Sequence, residues 1–278
     1  PALVGGRVVS GAGASPRGYP GDMKIAAFDI DDTLLFPHGI AEEDIAAIRA
    51  WQEAGHLAVA ATGKSLSALG SALQPYDLTF DYSVAFTGAG VADRGGSYIF
   101  SRTVPVDSLR EILVPLLDDP SVAVYAMPLH GPDALLSAEP ARFTGTILQD
   151  WVRVDFADLD AGDVACLPVW VPNDQSRQRQ LRDDILRAHP ELAVHIHRTF
   201  LDIVPAGVDK ATGMQEVFAH LGLPREEVRL YTFGDSWNDL ALHAIADRSY
   251  AFSWSPDEVM DAADEVIESV APALRRLT

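Results

Sequence analysis

The chain is poor in cysteine, in basic residues and in long apolar runs. Its one cysteine, Cys166, excludes an intramolecular disulfide and any cysteine cluster for zinc. Set in an apolar run, it reads as a small buried hydrophobe. Lysine and arginine number 21 against 40 acids, a net charge of −19. That balance argues against nucleic acid and anionic membrane as partners, and nothing implies a protein partner. It also repels anionic small molecules at long range, so a site for one must be positive locally. No apolar run approaches the length of a membrane span. Residues 1–22 are rich in Gly and Pro and lack the apolar core of a signal peptide. They read as a flexible leader ahead of Met23. Together these absences suggest a soluble, cytoplasmic protein.

What the chain does have is enough apolar material for a proper core, 48% of 278 residues, and a length that suggests about two domains. Its organising stretch is Lys24-Ile25-Ala26-Ala27-Phe28-Asp29-Ile30-Asp31-Asp32-Thr33-Leu34. The apolar run is short and apolar on both parities, which suits a strand buried on both faces of a parallel sheet. It ends in three acids within four residues. Ligands of open parallel sheets bind beyond the carboxyl ends of the strands. The acids read as a divalent cation site, a catalytic carboxylate pair or a solvated turn, and the rest of the chain decides against the last.

Residues 41–55 carry Ile45, Ile48 and Trp51 at helical spacing and stop at Gly55. A second buried strand, 57–61, ends in Thr62-Gly63-Lys64-Ser65 ahead of a helix at 66–73, which forms either an anion seat or an ordinary capped turn. A third strand, 82–86, leads to Thr87-Gly88. From 91 to about 204 the texture changes. Strands are expected at 97–104, 123–127, 152–156 and 164–171, helices at 107–117 and 175–188. His195 and His197 alternate with Val194 and Ile196, so both point to one strand face. Without a third ligand they read as solvated strand histidines rather than a metal pair. His38 reads as a surface histidine. Lys210 stands at the start of a helix running to Leu221, against the helix dipole unless an anion binds there. A further buried strand, 228–233, ends in Gly234-Asp235-Ser236-Trp237-Asn238-Asp239, with Trp237 read as packing.

Strands alternating with helices imply a doubly wound parallel sheet, whose strand tips converge on one edge. A hydroxyl (Thr62), a lysine (Lys210) and the carboxylates of Asp29, Asp31, Asp235 and Asp239 then meet there, beside Asn238. This is the inventory of phosphoryl transfer with a divalent metal. All-oxygen ligands point to Mg²⁺. Two unit charges about 4 Å apart interact by roughly 4 kcal/mol at an effective dielectric of 20. A carboxylate approaching a phosphate therefore needs Mg²⁺ on Asp29 and Asp235, and Lys210 and Thr62 on the phosphate oxygens.

At this point the chain resembles a known family. Asp29-Ile30-Asp31-Asp32-Thr33-Leu34 resembles the DxDxT signature of the haloacid dehalogenase (HAD) superfamily. Thr62-Gly63, Lys210 and Gly234-Asp235-Ser236-Trp237-Asn238-Asp239 are similar, in order, to its second, third and fourth motifs. The insert between motifs two and three resembles the α/β cap of the Cof-type, type IIB, branch. The resemblance covers roughly residues 24–270. It implies a Rossmann-like core (23–88 and 205–278) interrupted by an α/β cap (89–204). It also implies that Asp29 is a nucleophile forming an aspartyl-phosphate, and that Asp31 protonates the leaving oxygen and later activates water. Thr62, Gly63 and Lys210 would bind phosphate. Asp29, the Asp31 carbonyl and Asp235 would ligate Mg²⁺, with Asn238 and Asp239 supporting the metal or orienting Lys210. Lys64 departs from the arginine many Cof-type proteins carry, Thr87-Gly88 replaces their Asn-Gly, and the C-terminal tail lacks their Glu-Asp-Gly. The expected function is a Mg²⁺-dependent phosphatase of a small phosphate ester, a sugar phosphate or phosphorylated cofactor. The alternatives are a phosphosugar mutase and a non-catalytic phosphate-ligand-binding protein.

Overall fold

The structure is a computed structural model that describes residues 23–137, 151–172 and 174–278. The leader expected at 1–22 lies outside the described residues. The larger of two main sheets has eight strands, in the order Glu265–Ile267, Arg248–Phe252, Arg229–Phe233, Lys24–Phe28, Leu57–Ala61, Tyr82–Ala85, Gly90–Asp93 and Tyr98–Ser101. The first six run parallel. The last two are an antiparallel meander on the far edge.

Burial explains why the Lys24–Phe28 strand lies at the centre. Ala26 and Phe28 pack with Trp51, Phe233 and the C-terminal Val270–Arg275 helix on one side. Ile25 and Ala27 pack with Met214, Val217 and Leu221 of the Lys210–Leu221 helix on the other. A strand wedged between two helical layers must be apolar on both parities, as this one is. Its neighbours share its register: Phe28 stands opposite Phe233 on one side and Ala60 on the other. The residues just past each strand end therefore emerge at one level, and the Asp29 amide donates to the Phe233 carbonyl at 2.8 Å.

The second sheet has six strands, in the order Trp151–Arg153, Asp133–Leu135, Ala123–Pro128, Val164–Trp170, Phe200–Pro205 and Leu192–His197. The Val106–Leu117 and Gln175–Ala188 helices cover one face through Leu109, Leu113, Leu181 and Ile185. The other face, with Tyr125, Cys166 and Phe200, packs on Ala85, Phe86 and Ala89 at the rim of the large sheet. Cys166 is fully buried.

Two expectations meet a different arrangement. Gly90–Asp93 and Tyr98–Ser101 pair with the large sheet, so residues 89–101 extend the core rather than opening the cap. The change in texture at residue 91 coincides with a switch from parallel to antiparallel pairing. The strand expected at 152–156 is shorter, Trp151–Arg153, and gives way to a 3₁₀ turn at Phe156–Asp158. Among the described residues, no helix is long and apolar enough to cross a membrane.

Candidate active site

Three strand tips and one helix start meet at the carboxyl edge of the large sheet. Asp29 and Asp31 follow the central strand, and Thr62 ends the strand beside it. Asp235 follows the strand on its other flank. The Lys210–Leu221 helix begins beneath them, capped by Asp209. Thr212 N–H donates to Asp209 Oδ1 at 2.7 Å, and Thr212 Oγ1 accepts from the Asp209 amide at 2.9 Å. This reciprocal cap fixes the first helical turn and with it the lysine. Gly88 passes close under the same cap: with φ +103, a Cβ there would lie 2.0 Å from the Asp209 carbonyl oxygen.

Lys210 is completely buried, with Nζ 2.8 Å from Asp29 Oδ1 and 2.7 Å from Asp239 Oδ1. Burial pulls its ammonium toward the neutral form. The Asp239 and Asp29 carboxylates outweigh that pull and hold the pKa above the ordinary lysine range. Asp239 also accepts the Ser236 amide on its second oxygen, at 3.1 Å, so the fourth motif's turn and the lysine brace each other.

Asp29, Asp235 and Asp239 bring carboxylate oxygens within 4.8 Å of one another. Burial, then the charges of Asp29 and Asp239, raises the Asp235 pKa; Arg198 opposes this. Burial also raises the Asp239 pKa, against the pull of Lys210. Asp29 Oδ2 and Asp235 Oδ1 are buried acceptors without a hydrogen-bond donor, and the Asn238 amide leaves both its acceptor Oδ1 and its donor Nδ2 unpartnered. Unpaired buried carboxylate oxygens are costly. A hard divalent cation relieves that cost, so the residues present fit one.

Thr62 is fully buried, and its Oγ1 accepts the Lys64 amide at 3.2 Å. Its hydroxyl proton is left for another acceptor. Gly63 lies under the cap, where a side chain would begin 3.1 Å from Asp202 Oδ2. The structure therefore gathers Asp29, Lys210, Asp235 and Asp239 in one cluster with Asp31, Thr62 and Gly63 at its rim. Asn238 makes no bond to that cluster.

Four more polar side chains reach the same place. Lys64 Nζ is 3.1 Å from Asp31 Oδ2. From the cap, Arg198 stands 2.8 Å from Asp32 Oδ2 and 3.7 Å from Asp235 Oδ2. Asp202 accepts the Thr87 hydroxyl at 2.9 Å; burial pushes its pKa up to about 6. His197, expected in solvent, is only 5% exposed, which corrects that reading. Its strand lies face-down on the core instead of at a free surface. His195, half-buried, bonds the Val208 carbonyl through Nε2 at 2.7 Å. The signal was in the alternation: two histidines share one hairpin face with an aspartate, His195 opposite Asp202 and His197 opposite Phe200. His38 is exposed and stacks on Phe36. Trp237 is half-buried and donates to Glu258 at 3.0 Å.

A doubly wound core, a cap roofing its carboxyl edge and a lysine-braced acid cluster define a capped α/β protein with a buried acidic site. The chain belongs to the haloacid dehalogenase-like hydrolase family, which it matches over residues 26–272. It is 29% identical over 255 residues to a protein of Streptococcus pyogenes serotype M6 that carries the name of a bifunctional phosphatase/peptidyl-prolyl cis-trans isomerase. The match takes in 89% of this chain but 51% of that one, so the chain spans about half the length of that relative. It is 25% identical to the 5-amino-6-(5-phospho-D-ribitylamino)uracil phosphatase YitU of Bacillus subtilis, over 86% of this chain and 90% of the relative. A solved HAD subclass IIB sugar phosphatase shares the fold with a TM-score of 0.75 at 21% identity, covering 92% of this chain and 99% of that one.

Proposed function

We propose that this protein is a cytoplasmic, Mg²⁺-dependent phosphomonoesterase that hydrolyses a small phosphorylated metabolite through an aspartyl-phosphate on Asp29. The observation that carries this reading is the buried Asp29–Lys210–Asp239 chain beside partnerless oxygens of Asp29 and Asp235. Nothing in folding asks for that many charges in one dry place.

Asp29 attacks phosphorus, and the bond from phosphorus to the leaving oxygen breaks. Asp31 gives that oxygen its proton. Water then attacks the phosphorus of the aspartyl-phosphate, Asp31 takes the water's proton, and Asp29 is released with orthophosphate. Lys210 holds Asp29 Oδ1 in place and offsets the approaching phosphate charge. Thr62 and the Gly63 backbone bind phosphate oxygens. Asp29, the Asp31 carbonyl and Asp235 would hold Mg²⁺, which when bound supplies Lewis-acid stabilisation of charge on the phosphoryl group.

The curated relatives named as phosphatases support the reaction class. The ribityl phosphate of one and the sugar phosphate of the solved structure support a sugar phosphate or phosphorylated cofactor as substrate. The test is orthophosphate release from p-nitrophenyl phosphate, expected with Mg²⁺ and abolished by EDTA. Isomerisation of a phosphosugar without release would favour the mutase, and a folded protein inert toward a broad ester panel would favour a binding role.

A further inference from the structure

The cap hairpin of Leu192–His197 and Phe200–Pro205 shows two unlike faces. Leu201 and Ile203 point into the cap's own core with Leu192. On the other face, His197 stands opposite Phe200 and His195 opposite Asp202. That face roofs the strand tips. Arg198, the next residue after His197, reaches Asp32 and Asp235, and Asp202 Oδ2 hangs 3.1 Å from where a side chain at Gly63 would begin. The strand carrying His197 packs on the Trp237–Asp239 turn. Arg198 itself sits in the left-handed region, φ +53, a conformation a non-glycine residue holds only where its surroundings impose it.

Within this roof, His197 Nε2 is buried and has no hydrogen-bond partner. Hydrolysis as described above does not use it. Leaving a buried ring nitrogen unpaired is costly and calls for a partner that arrives later. Burial, only partly opposed by Asp29, brings the imidazole's pKa down to about 4, so at neutral pH the ring carries one N–H and one lone pair. A neutral ring of that kind suits a hydroxyl, which both donates and accepts. A second anionic group would be served by Arg198 instead.

We infer that His197 determines specificity by binding, from the cap, a hydroxyl on the leaving group of the phosphate ester. The substrates are then phosphates of polyols or sugars that carry free hydroxyls near the ester. This rests on the phosphatase reading of the same site. A site built to bond a hydroxyl discriminates against the analogue that lacks it.

The experiment compares glycerol 3-phosphate with propyl phosphate, in wild type and in His197→Ala, with orthophosphate release as the readout. In the wild type, kcat/KM should favour glycerol 3-phosphate by at least about tenfold, and in His197→Ala that ratio should collapse toward one. His197→Gln, whose amide also donates and accepts, should keep part of the preference. If the alanine variant fails to fold, His197→Leu fills the space without a polar atom and carries the same expectation. A wild-type ratio near one, or a ratio unchanged by removing the imidazole, overturns the inference and leaves the phosphatase reading standing. Failure of the wild type on both esters and on p-nitrophenyl phosphate overturns the phosphatase reading, and this inference with it.

Discussion

Lys64 Nζ lies 3.1 Å from Asp31 Oδ2, and both side chains are almost wholly withdrawn from solvent. The pair joins two adjacent strand tips, one carrying the proposed acid and base, the other the proposed phosphate seat. A lone buried carboxylate is expensive and a lone buried ammonium is too, so each licenses the other.

Lys64→Gln should therefore destabilise the protein by about 3 kcal/mol, because it removes the buried cation that faces Asp31. Urea unfolding reads this directly. Lys64→Arg, which keeps the charge, should lose far less. Equal losses for the two variants would show that side-chain shape matters here rather than charge.

Asp29→Asn should lower turnover at least about a thousandfold, since an amide is no nucleophile toward phosphorus. The fold should survive, because Lys210 keeps its 2.7 Å contact with Asp239. Orthophosphate release together with the circular dichroism spectrum checks both halves. A variant retaining most of its activity would mean another group attacks.

Lys210→Met should cost about 3–5 kcal/mol of stability as well as activity, because Asp29 and Asp239 would face each other without their shared cation. This variant should gain more stability than the wild type as the pH is lowered, since protonating either acid relieves the repulsion that Lys210 no longer offsets. Denaturant midpoints at pH 7 and pH 5 give the sign.

His243 should make folding acid-sensitive. It is buried beneath the fourth motif, its Nδ1 lies 2.8 Å from Thr232 Oγ1, and burial brings its pKa down to about 4. In the unfolded chain an imidazole titrates near 6.5. As the pH falls from about 6.5 to 4 the unfolded state binds the proton first, so the stabilisation this residue gives at neutral pH is lost across that window. The difference in unfolding free energy between wild type and His243→Gln should therefore move by about 3 kcal/mol toward the variant. A pH-independent difference would contradict the neutral buried ring.

The core was legible because buried parallel strands leave a plain mark. Residues 25–28 and 57–61 are apolar on both parities since helices cover both sheet faces, 228–233 is so apart from Arg229 and Thr232, and each run breaks at or just past its tip into Asp29, Thr62 or Asp235. The meander at Gly90–Asp93 and Tyr98–Ser101 was not legible as core. Each of its strands is four residues long, and nothing local says which sheet they join.

By itself the sequence determined which groups stand at the strand ends, because burial on both faces constrains every residue of such a strand and the polar break that follows it. Only the tertiary structure decided what covers them. Whether His197 faces water or the site, whether Arg198 reaches Asp32, and whether Lys64 meets Asp31 depend on how one face of a distant hairpin and the tip of a neighbouring strand are set against the core. Those contacts follow from pairing register and from packing between residues far apart in the chain, and a period-two pattern is the same whichever way its face is turned.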